Sequence, residues 1–107
     1  MSKYIDLGLL VKDPLIFKLG EDEYTIPGQI STKLVLKLSH YDEKIKDQSN
    51  DEIMLEMQKM VLEILSLDKS KTLTLEDIQD KFDDVRFLKA IVNGFQEHIE
   101  DITNDPN

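Results

Sequence analysis

Cysteine and tryptophan are both absent, glycine and proline number only four and three, and Arg86 is the single arginine. The missing thiols exclude disulfides, thiolate nucleophiles and cysteine-based metal sites. The scarcity of Gly and Pro, together with 40% hydrophobic residues in periodic blocks, excludes a low-complexity or disordered chain. Long apolar runs are missing too: no segment approaches the roughly 18 residues that span a bilayer. Met1 to Asp6 offers no basic segment leading into an apolar run, so no secretory leader is expected and the expected location is the cytoplasm. Positive charge is the minority sign. Thirteen bases face 22 acids, a net −9, and the lysines are scattered singly beside acids. A phosphate backbone or an anionic membrane needs clustered Lys and Arg, so neither is an expected partner. The acidic excess reads as a device for solubility.

At 107 residues the chain is sized for one domain over residues 1–107. The first quarter, residues 1–28, reads as strand. Ile5, Leu7, Leu9 and Val11 alternate with polar or small residues, making residues 3–11 a candidate strand that Asp13-Pro14 terminates. Leu15 to Leu19 and Tyr24 to Ile26 flank Gly20-Glu21-Asp22-Glu23, the pattern of a β-hairpin, which Pro27-Gly28 ends. Residues 29–102 read as helix. Ser31 or Thr32 caps a first helix carrying Leu34, Leu38, Tyr41 and Ile45 at spacings of four and three. Ser49 to Glu52 fits a capping box opening a second helix to Leu67, with Ile53, Met57, Met60, Ile64 and Leu67 in phase. Thr74 to Asp77 opens a short third helix, and Asp83 or Asp84 caps a last one lined by Leu88, Ile91, Phe95, Ile99 and Ile102. Residues 103–107 are expected to fray. The expected fold is α+β and mainly α: an N-terminal β-hairpin, with residues 3–11 as a third-strand candidate, packed on three to four helices. Leu38, Ile53, Met57, Ile64, Phe82, Leu88, Ile91 and Phe95 are the expected core.

Residues able to do chemistry are present but do not form constellations. His98 lies between Glu97 and Glu100 with no second histidine at ligand spacing, and reads as a solvated helical histidine. Asp68 to Gln79 imitates a calcium loop, yet has Leu73 where the turn needs Gly and Gln79 where a bidentate Glu is needed. No nucleophile motif or phosphate loop occurs, and the paired acids fall in turns and on polar faces. The expectation is no catalysis, no cofactor and no metal.

The second helix stands out. At about 100° per residue its apolar arc covers roughly two-thirds of the circumference, where a surface helix needs little more than 100°. Ser66, Lys59, Glu63 and Glu56 form its one polar stripe, while Leu55 and Leu62 extend the apolar arc beyond Gln58. Two readings account for this: a central helix covered on both sides, or a face awaiting a partner. On the second reading Met54, Leu55, Met57, Gln58, Val61 and Leu62 are the candidate protein-binding residues, thioethers being suited to surfaces that repack.

The run Phe17 to Pro27, FKLGEDEYTIP, resembles the N-terminal hairpin of the tail assembly chaperones of long-tailed phages and prophages, and the order of elements is similar over roughly residues 14 to 102. The resemblance implies a hairpin with a helical remainder and no catalytic residue. It also implies a transient factor in the host cytoplasm, absent from the mature virion. Such a factor keeps the tape measure protein soluble and gives way to the major tail tube protein. Self-association is compatible with such a role. Two alternatives stand beside it: a small acidic inhibitor or DNA mimic, and a minor tail or head–tail joining subunit.

Overall fold

The computed structural model describes Lys3, residues 5–11 and residues 13–103. The order is a 3-10 turn (Leu7–Leu10), β1 (Leu15–Leu19), β2 (Asp22–Ile26), α1 (Thr32–Ile45), α2 (Asn50–Leu65), α3 (Leu75–Lys81) and α4 (Val85–Thr103). The fold is α+β and mainly helical.

β1 and β2 pair antiparallel with Leu19 opposite Asp22, which leaves a two-residue loop, Gly20-Glu21. Gly20 has φ of 63° and, among the described residues, no non-glycine residue has a positive φ. A positive φ at the first loop position alone is the type II′ geometry, whose twist matches that of paired strands. The turn is tighter than the four residues Gly20 to Glu23 suggest, since Asp22 and Glu23 belong to the strand. Leu15, Phe17 and Leu19 share one face with Tyr24 and Ile26; Ile16 and Lys18 point away. A two-stranded hairpin is marginal alone, and this one lays its apolar face on the helices.

The candidate third strand is not formed. Among the described residues the sheet has two strands, and residues 7–10 take a 3-10 turn instead. The Asp6 carboxylate accepts the Gly8 N–H at 3.0 Å, a local bond that competes with extended pairing. Ile5, Leu7 and Val11 are exposed. Of the expected frayed end, Thr103 is the last residue of α4, its hydroxyl donating to the Ile99 carbonyl at 2.9 Å; residues 104–107 lie outside the described residues.

Each helix starts at a side-chain cap. Ser31 accepts the Lys33 N–H, Ser49 the Glu52 N–H, and Thr74 exchanges bonds with Asp77 in a complete capping box. The Ser49 box is only half formed: the Glu52 carboxylate accepts from the Ser49 hydroxyl, not from its amide. At α4, Asp84 and not Asp83 is the cap, accepting the Arg86 N–H at 2.8 Å. The Arg86 side chain closes on the same carboxylate at 2.7 Å and holds it well down, at about 2.

α2 is the hub. It touches α1, α3, α4 and β2, and buries Met57, Met60, Val61, Ile64 and Leu65. Burial of each such side chain contributes on the order of 1.5–3 kcal/mol. This explains the breadth of its apolar arc: neighbours lie on several sides. Of the expected core, Leu38, Met57, Ile64, Phe82, Leu88, Ile91 and Phe95 are buried, while Ile53 is partly buried at the margin.

Three contacts fix the hairpin to the helices. The Asp68 carboxylate accepts the Thr25 N–H at 2.8 Å while also holding Ser70 through its amide (3.0 Å) and hydroxyl (2.6 Å). Tyr24 meets Phe82 edge to face at 5.8 Å, with the Lys71 ammonium 5.2 Å from its ring centre; burial raises the Tyr24 hydroxyl above its ordinary pKa. His98 lies 2.9 Å from the Pro27 carbonyl. A carbonyl only accepts, so Nε2 carries the proton. His98 is thus buried, at 8% exposure, and not the solvated residue its acidic neighbours suggest: it points along the apolar face to a backbone acceptor 71 residues away.

Candidate protein-binding groove

The expected binding residues on α2 are distributed between the core and the surface. Val61 is completely buried and Met57 is in the core; Leu62 is partly buried against it. Gln58 accepts a hydrogen bond from Gln79 of α3 at 3.2 Å. Only Met54 and Leu55 are exposed, at 36% and 38%. Met57 and Val61 are core residues of an α2 that packs against α3 and α4.

An open groove lies instead along the opposite flank of α2, against α1. Ion pairs define how the helices run: Lys37 meets Glu63 at 2.6 Å and Lys44 meets Glu56 at 3.1 Å. Early α1 faces late α2, so the pair is antiparallel. α1 turns Leu34, Leu38 and Tyr41 inward and leaves Leu36, its next flank, 59% exposed. Between the helices is a hollow of about 630 Å³. α1 lines it with Lys33, Leu36, Lys37, His40, Tyr41 and Lys44, and α2 with Glu56, Lys59, Met60 and Glu63. An adjoining hollow of about 280 Å³ shares Lys33, Lys37 and Glu63 and ends at Lys69.

The apolar surface of the main hollow comes chiefly from Leu36 and the lysine stems, with only the edges of buried Tyr41 and Met60 reaching its floor. Burial raises the Tyr41 hydroxyl pKa, with Asp42 and Glu56 adding to the effect. Electrostatically the groove inverts the molecule. Four lysines face two glutamates there, a surplus of two positive charges in a chain of net −9. Glu56 is shared by Lys44 and Lys59, the latter at 3.9 Å.

Sequence reasoning named part of this site without recognising it. Glu56, Lys59 and Glu63 belong to the polar stripe of α2, which reads as a solvated face; the structure sets it opposite the lysines of α1. The available signal was Lys33, Lys37 and Lys44, spaced by four and seven on one side of a helix.

Among the described residues no three His, Asp or Glu side chains lie close enough to hold a metal ion, and no helix is long and apolar enough to cross a membrane. No family model matches the chain, and neither do curated proteins or solved structures at a significant level.

Proposed function

We propose that this chain is a non-catalytic tail assembly chaperone of the phage or prophage type. In this reading it binds the tape measure protein in the host cytoplasm, keeps it soluble and yields it to the major tail tube protein. The observation that carries the reading is the open α1–α2 flank, where exposed Leu36 and the lysine stems lie over a floor edged by Tyr41 and Met60. Exposed Met54 and Leu55 on the same helix pair add apolar surface. Such surface is suited to covering apolar stripes of another helix, and the acidic remainder keeps the complex in solution. The wording of the hairpin, Phe17 to Pro27, supplies the family expectation.

Co-expression with the tape measure protein tests the proposal. The chain should raise the soluble fraction of that protein, and mass spectrometry of purified particles should not find it. Insoluble tape measure protein at equimolar chain would overturn the chaperone reading. Stoichiometric recovery in virions would make the chain a structural subunit.

A further inference from the structure

We infer that the α1–α2 groove is a docking site for an acidic amphipathic helix of a partner protein, with the helix's apolar stripe on exposed Leu36 and the lysine stems, above a floor edged by Tyr41 and Met60, and its carboxylates on the lysine ammonium groups. The inference rests on the protein-binding reading above and specifies the chemistry of the partner segment. Charge complementarity carries it. The chain carries a net charge of −9, yet gathers Lys33, Lys37, Lys44 and Lys59 around this hollow. Lys69 extends the positive strip past its end.

The dimensions agree. Lys33 to Lys44 is 11 residue steps, about 16 Å of helix or three turns. Over three turns an amphipathic helix presents apolar residues at i, i+3, i+4 and i+7 with charges on either side, the usual mode of helix-in-groove recognition. The internal ion pairs do not block this. Lys37, Lys44 and Lys59 are each half exposed or more, and exposed pairs are worth only about 0–1 kcal/mol, so an incoming carboxylate can displace or share them. A phosphate backbone would meet the same lysines but has nothing to place on Leu36 and Met60.

Two synthetic peptides test the inference by fluorescence anisotropy. Both are about 14 residues long with one Leu/Ile stripe at helical spacing; one has Glu beside the stripe, the other Lys. The intact chain should bind the Glu peptide at least about tenfold tighter than the Lys peptide, and this preference should shrink as salt rises from about 50 to about 300 mM. Lys37→Glu with Lys59→Glu turns the groove net negative and should reverse the preference. Leu36→Gln, at an exposed position that the fold does not need, should weaken the Glu peptide with no change in melting. Equal affinity for both peptides, or an unchanged preference in the double variant, overturns the inference. So does displacement of the Glu peptide by a single-stranded oligonucleotide, which would assign the lysines to phosphate. Dimerisation abolished by the double variant would assign the groove to a second copy and also overturns it.

The outcomes separate this inference from the chaperone reading. If the double variant still solubilises the tape measure protein, the groove inference fails and the chaperone reading stands. Binding of the Glu peptide by a chain that does not solubilise that protein leaves the groove and removes the chaperone.

Discussion

Gly94 shows how a single atom can decide the join between two elements. It lies inside α4, where glycine weakens a helix by roughly 1 kcal/mol relative to alanine. A Cβ placed there would stand 3.1 and 3.3 Å from two carbons of the Phe17 ring. The ring is partly buried against the core, and its strand is held beside β2, which Thr25 and Tyr24 tie to the rest of the chain. Gly94→Ala should therefore destabilise by a net of about 1 kcal/mol, the overpacking cost exceeding the gain in propensity. Urea titration of G94A, F17L and the double variant checks it: the smaller Leu should relieve the clash, and a favourable coupling between the two changes is expected.

Asp68 sets a pH dependence. The Ser70 hydroxyl, then the Thr25 amide, lower its pKa below the ordinary 3.8. The folded chain thus binds fewer protons than the unfolded chain between that depressed value and 3.8. Stability from this group is complete above about pH 5 and is lost as pH falls through the folded pKa. Asp84, held at about 2 by Arg86, titrates on the same acid limb, so the Asp68 part is isolated by substitution. Asp68→Ala, which strands the Thr25 amide, should cost about 1–3 kcal/mol at neutral pH. Asp68→Asn should cost less and flatten the fall between pH 5 and 3, as followed by chemical denaturation at each pH.

At the scale of elements, α2 determines which apolar residues are free and which are structural. Leu55 and Leu62 look equivalent in the sequence, seven residues apart on one helix flank. Leu62 is packed against the core, whereas Leu55 is exposed near the start of the helix. Leu62→Ser should lower the melting temperature by several degrees, an effect of 1 kcal/mol being worth about 4–8 °C in a domain of 60–100 residues. Leu55→Ser should leave melting within about 1 °C, surface changes being worth at most about 0.5 kcal/mol. Equal losses for both variants would mean that Leu55 is also covered.

The whole molecule is extended for its length. Its radius of gyration is 15.7 Å and its extents 59 × 36 × 19 Å, where a compact chain of this length has a radius near 13 Å. α1 packs mainly against α2 among the helices. Small-angle scattering of the free chain should give a radius clearly above 13 Å. A value at 13 Å would mean that α1 folds back over the groove.

Much of this architecture was legible in the residues alone. Gly20 between two β-prone runs dictates the hairpin, Ser31, Ser49 and Thr74 mark the helix starts, and the three-and-four spacing of Leu88, Ile91 and Phe95 identifies a core face. These features depend on backbone sterics and local hydrogen bonds, which act over a few residues wherever the chain folds. Long-range placement was not legible. That Asp68 would reach Thr25, that His98 would reach Pro27, and that Gly94 would admit Phe17 are contacts across 43, 71 and 77 positions; no local pattern encodes them. Nor does periodicity say which side of a broadly apolar helix receives neighbours. Ile5 to Val11 alternates like a strand but pairs with no strand among the described residues, and the polar stripe of α2 became one wall of a groove only when α1 lay beside it. The sequence by itself determined the elements and their ends, because those are local; tertiary structure decided which apolar and charged faces remain uncovered, because burial is settled by what packs on the other side.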